Sequence, residues 1–197
     1  MTILVTAFDP FGGETVNPAQ LAVEALPCRI GGHTIIKQIV PTVFGRSAEE
    51  VIAQMDVLSP DAVVCVGQAG GRDAITPERV AINIMDAAIP DNAGMLPTDQ
   101  PIIANGPAAY FSTLPVKNMA AAVQAAGLPG KLSNTAGTFV CNQLLYRVLH
   151  HAATRMPNCR CGFIHVPYIP AQTADKPSMA LTDIIKGLTA AIGAIPG

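Results

Sequence analysis

The chain has no tryptophan, three tyrosines and six phenylalanines, and only 13% of its residues are charged. With a formal net charge of −2 and no run of lysine or arginine, there is no electrostatic ground for expecting nucleic acid or an anionic membrane as a partner. Nowhere does an apolar run reach the length of about 18 residues needed for a membrane-spanning helix. The start, Met1-Thr2-Ile3-Leu4-Val5-Thr6-Ala7-Phe8-Asp9, lacks the basic beginning and cleavage site of a signal peptide. Five cysteines, an odd number, argue for reduced thiols and against a disulfide framework, so a cytoplasmic location is expected. Cys159 and Cys161 form a C-x-C pair with nothing nearby to complete a four-ligand metal site. His150 and His151 would diverge by about 100° on a helix, which suits surface residues better than a ligand pair.

What is abundant is apolar side chain: half of the 197 residues are hydrophobic. A chain of this length buries roughly 70% of its unfolded surface, enough for one sizeable core, and the shortage of charge outside it points to further cover by oligomerisation. Thr2–Phe8, Thr34–Val40 and Ala62–Gly67 are β-branched or apolar runs that predict strands, with Val80–Met85, Leu132–Asn134 and Gly162–Val166 of the same type. Helical patterns fall near Pro18–Ala25, Arg46–Leu58, Val116–Ala126, Asn142–Ala153 and Ser178–Ile192. Strands alternating with helices, and no linker or repeat, predict one domain over residues 1–197. Its expected fold class is a three-layer α/β/α sandwich around a mostly parallel, twisted open sheet. The segment 89–107 has little periodicity and reads as a loop covering a site or meeting another subunit.

In such sheets ligands gather at the carboxyl ends of the strands. Three segments end there: Phe8–Gly13, Gln68-Ala69-Gly70-Gly71 and the segment holding His165. Cys141 opens the helix that begins near Asn142, facing unpaired backbone N–H groups and the positive end of the dipole. That setting, with an imidazolium nearby, is expected to lower a thiol pKa from about 8.5 toward 3.5–7.5. A cysteine–histidine pair works better with a third group orienting the imidazole. Glu78 is the best placed, although a surface pair with Arg79 is the plainer reading, and Asp86, Asp91 and Asp99 compete.

Four blocks together resemble the pyroglutamyl peptidase I family of cysteine peptidases. They are Val5-Thr6-x-Phe8-Asp9-Pro10-Phe11-Gly12-Gly13 with Asn17-Pro18; Gly67-x-x-Gly70-x-x-x-x-Ile75-Thr76-x-Glu78-Arg79-Val80-Ala81-x-Asn83; Ser133-x-x-Ala136-Gly137-x-Phe139-Val140-Cys141-Asn142; and Phe163-Ile164-His165-Val166-Pro167. The resemblance runs from about Ile3 to Ser178. It implies hydrolysis of N-terminal pyroglutamate from peptides, with Cys141 as nucleophile, His165 as general base and then acid, and Glu78 orienting His165. It also implies a tetramer and no metal or organic cofactor. Phe8, Phe11 and Phe139 are expected as apolar walls for the lactam ring, and Gln68 and Asn17 as its hydrogen-bond partners.

One departure stands out: Asp86-Ala87-Ala88-Ile89-Pro90-Asp91-Asn92 has alanine at 88 where the resemblance leads one to expect arginine. Competing readings are a catalytically silent lactam-binding homologue, a thiol redox sensor using Cys141 with Cys159 or Cys161, and a phosphorylase using Arg72 and Arg79.

Overall fold

Alternation along the first strand explains the layering of the molecule. The computed structural model describes all residues, Met1–Gly197, in which β1 (Thr2–Phe8) is followed by α1 (Pro18–Ala25), β2 (Arg29–Ile30), β3 (His33–Val40) and α2 (Arg46–Leu58). Then come β4 (Ala62–Gln68), β5 (Thr76–Pro77), β6 (Val80–Ile82), β7 (Ala109–Phe111), α3 (Val116–Ala125), α4 (Val140–Arg155), β8 (Arg160–Val166) and α5 (Leu181–Gly193). Successive side chains of a strand point to opposite faces. Ile3, Val5 and Ala7 accordingly pack with α1, α3 and α5, whereas Leu4 and Phe8 pack with α2 and α4. Both faces are apolar, so each fully buried Ile or Leu contributes about 1.5–3 kcal/mol whichever way it points. The result is a three-layer α/β/α fold.

The sheet order is β2-β3-β1-β4-β8-β5. Its four central strands are parallel, and the two-residue edge strands β2 and β5 run antiparallel to their neighbours. The chain leaves β1 toward β3 and then crosses back to β4, so the strand order reverses between β1 and β4. A crevice opens at the carboxyl ends there.

The long strands and the first two helices lie where the apolar patterns place them. Three expectations need correction. Val80–Met85 shortens to β6, which leaves the main sheet and pairs only with β7. Leu132–Asn134 forms no strand, because Ser133 makes just one bridge, to Glu78, before the chain turns away. The last helix starts at Leu181 and not Ser178, since Met179 N–H donates to the Tyr168 carbonyl at 2.8 Å and holds that backbone extended. No helix is long and apolar enough to cross a membrane.

Candidate active site

Strand register brings the chemical groups together. Gly67 pairs with His165 across β4 and β8, and Thr76 of β5 pairs with the same histidine from the other side. One residue past Pro77, Glu78 donates its backbone N–H to the Phe163 carbonyl at 2.8 Å, which seats its side chain beside His165. Proline is tolerated here because β5 is an edge strand. His165 Nδ1 lies 2.7 Å from Glu78 Oε1. A carboxylate only accepts, so Nδ1 carries the hydrogen and Nε2 is left with its lone pair.

Cys141 arrives from α4. It is the second residue of that helix, after Phe139 as cap and Val140, so its backbone N–H is among the four with no intrahelical partner. Gly67 is what allows the sulfur to settle against the sheet: a Cβ there would stand 3.0 Å from Cys141 Sγ and 2.7 Å from the Phe163 ring. Asn142 then ties the helix start to the neighbouring segment, its amide donating to the Ile82 and Ile84 carbonyls and its oxygen accepting from Ile82 N–H. Cys141 and His165 line one cavity of about 340 Å³.

Burial decides the charge states. Desolvation pushes the Cys141 thiol up to about 12, with Glu78 adding to the rise and Arg72 opposing it. The thiolate expected from the helix start is therefore corrected to a protonated thiol: the cost of stripping water from the anion exceeds what the charge of Arg72 and the backbone hydrogen bond return to it. The same desolvation lowers the His165 pKa, outweighing the carboxylate beside it, so the imidazole is neutral at pH 7. Burial also pushes Glu78 up, but the hydrogen bonds of His165 and Ser133 and the charge of Arg72 together hold it below its ordinary value.

Arg72 is the group that sequence reasoning set aside. It donates to Glu78 Oε1, to Thr76 Oγ1 and to the Thr135 carbonyl, and Glu78 is wholly buried. Glu78 is thus not a surface partner of Arg79. A buried carboxylate needs pairing, and that requirement with Arg72 six residues away was the available signal. Among the competing acids, Asp91 is occupied by the N–H groups of Phe44, Ala93 and Met95.

Of the expected wall residues, Phe11 and Phe139 line the cavity, their ring centroids 6.0 Å apart. Phe8 does not. It is 1% exposed and packs on Phe163 in the core beneath, because position 8 shares the α4-side face of β1 with Leu4. Asn17 is also outside the lining. Its oxygen caps α1 by accepting from Ala19 N–H at 2.9 Å and its amide donates to the Asp9 carbonyl, so a helix N-terminus uses it. Gln68 lines the cavity. So do Glu14, Ile89 and Tyr168, which were not foreseen. Tyr168 lies so close to Gly70 that a Cβ there would collide with its ring. Ile89 belongs to the segment 89–107, and Ala88 beside it is exposed. Asn92, in the same segment, donates to the Pro10 carbonyl at 2.8 Å and docks it on the loop after β1.

The family described as Pyroglutamyl peptidase matches residues 1–196 of the chain. The pyrrolidone-carboxylate peptidase of Levilactobacillus brevis is 56% identical over 99% of this chain and 97% of its own length. That of Staphylococcus carnosus is also 56% identical, over 99% and 93%. Among solved structures, pyroglutamyl peptidase I of Bacillus amyloliquefaciens superposes with a TM-score of 0.95 at 46% identity, covering 98% of this chain and 96% of that one. A mutant pyrrolidone carboxyl peptidase of the hyperthermophile Pyrococcus furiosus gives 0.93 at 39%, over 99% and 98%. With the family matched over residues 1–196, the fold shared and relatives more than half identical over nearly the whole chain, the chain belongs to the pyroglutamyl peptidase family.

Proposed function

We propose that this chain is a cysteine exopeptidase that hydrolyses the bond after an N-terminal pyroglutamate. The observation that carries the reading is the Glu78–His165 hydrogen bond at the wall of the cavity that holds Cys141. In the resting site thiol and imidazole are both neutral. As the sulfur attacks the pyroglutamyl carbonyl, His165 Nε2 takes the thiol proton, and Glu78 stabilises the imidazolium that forms. The Cys141 N–H is placed to donate to the developing oxyanion, and one such donor is worth on the order of 3 kcal/mol. His165 returns the proton to the departing amine, leaving a thioester. Water attacks this thioester with His165 again as base, and the sulfur leaves with the proton.

The pocket supports a neutral ring. Phe11 and Phe139 supply apolar faces, and Gln68 offers an amide. Proline has no ring carbonyl for that amide, and a site whose buried polar group stays unpaired discriminates strongly. Release of a fluorescent amine from pyroglutamyl and prolyl amides tests this. Cleavage of the lactam substrate alone is expected. Equal cleavage of both would refute lactam recognition, and binding without turnover would favour the silent homologue.

We further propose that residues 1–197 act as one catalytic domain on peptide substrates in the cytoplasm, without a cofactor, as a tetramer. Five unpaired cysteines support a reducing compartment, and the exposed apolar side chains of Phe111, Leu96 and Val57 support assembly.

A further inference from the structure

Gln172 ends the 3₁₀ turn Pro170–Gln172, and its side chain joins that turn to the loop after β1 and to the last residue of β4, Gln68. The Ile169 N–H donates to Gln172 Oε1 at 3.2 Å. A backbone N–H can only donate, so this contact fixes which end of the amide is oxygen. The other end, Nε2, faces Gln68 Oε1 at 3.0 Å, with Glu14 Oε2 at 3.3 Å and the Val16 carbonyl at 3.4 Å. Meeting a donor, Gln68 must present its oxygen to Gln172. Gln68 is 7% exposed and lines the cavity, and its own Nε2 meets no acceptor of the chain.

We propose that Gln172 is a positioning residue that sets the polarity of the lactam pocket, holding Gln68 so that an N–H and not a C=O faces the bound ring. This rests on the peptidase reading above. The two amides form a relay: Ile169 N–H orients Gln172, and Gln172 orients Gln68. A donor at that place accepts the ring carbonyl of pyroglutamate as partner. The same donor opposes a prolyl ring twice over, since that ring lacks the carbonyl and carries an ammonium at neutral pH.

The test inverts the relay. In Gln172→Glu the carboxylate still accepts the Ile169 N–H, but its second oxygen draws Gln68 Nε2 toward itself and turns Gln68 Oε1 into the cavity. KM for a pyroglutamyl amide is expected to rise about 100-fold with kcat within about threefold, the pattern of lost ring binding. Gln172→Met removes the anchor without inverting it. Gln68 then samples both orientations, and KM rises only about two- to tenfold. Glu14 would repel a glutamate at 172, so both variants are repeated with Gln68→Leu, where that repulsion persists but the relay is gone. There the Gln172→Glu change is expected to alter KM less than about threefold.

An equal KM rise in both backgrounds overturns the relay, as does a fall in kcat at constant KM. Should Gln172→Glu not fold, Gln172→Met in the two Gln68 backgrounds carries the same cycle. Wild-type protein that cleaves neither amide overturns the peptidase reading and this proposal with it. Wild-type cleavage with additive effects overturns the relay alone.

Discussion

The two ends of β8 both gather sulfur, yet only one has the makings of a nucleophilic site. At the amino end Cys159 and Cys161 approach to 3.7 Å between sulfurs. The hydrogen bond from Cys161 lowers the Cys159 thiol below its ordinary value, while the same pairing and burial raise Cys161. At the carboxyl end Cys141 is pushed up to about 12. Ranked by acidity alone, Cys159 would be the nucleophile. What the amino end lacks is an imidazole: its partners are another thiol, Asp61 and Arg160, whereas Cys141 shares a cavity with a neutral imidazole whose tautomer Glu78 sets. A thiol need not be ionised at rest if a base waits to take its proton as the bond forms.

The largest test of this contrast is Cys141→Ala, expected to lower turnover of a pyroglutamyl amide by at least about 10⁴-fold while circular dichroism keeps the native signal. Retained turnover would move the chemistry to another cysteine. Next comes Glu78→Gln. Its loss of tautomer control should cost about 10²–10³-fold in kcat with a smaller change in KM, and it also leaves Arg72 without its buried counter-charge. A loss confined to KM would make Glu78 a binding residue.

The pH profile sharpens the comparison further. Because the His165 pKa is lowered, its active neutral form is present above that value. Thus kcat/KM should rise with pH below about 6.5 and be on its plateau at that pH. With the Cys141 thiol near 12, no thiolate titration should appear between pH 7 and about 9. A limb in that range would restore the resting ion pair. Glu78 raises the His165 pKa, so Glu78→Gln should shift the acid limb to lower pH. The smallest effect is expected from Cys159→Ser, within about twofold of wild type in the same assay, since nothing places that side chain near the cavity.

How far the sequence could be read follows from the size of each signal. β1 and β4 are seven residues long and almost wholly apolar or small, and α2 is thirteen residues with a regular buried stripe. Such patterns persist whatever surrounds them. β2 and β5 are two residues each and contain no periodicity to detect; β5 exists because β8 offers it an edge. Phe11 and Phe8 have the same side chain and lie three residues apart, yet one lines the cavity and the other supports the core. That difference is made where β1 ends and its alternation stops.

Sequence by itself pointed to the alternating α/β order, to the carboxyl edge of the sheet, and to Cys141 and His165 as the groups to examine, because local pattern and residue chemistry carry that information. Glu78 stood out from Asp86, Asp91 and Asp99 only through the resemblance of the four blocks to a known family. Tertiary structure alone decided that Arg72 pairs with Glu78, that Asn17 caps a helix, that Gln172 faces Gln68, and that the resting thiol is neutral. Each of those depends on burial and on distances between side chains, quantities that exist only once the sheet has brought its loops to one edge.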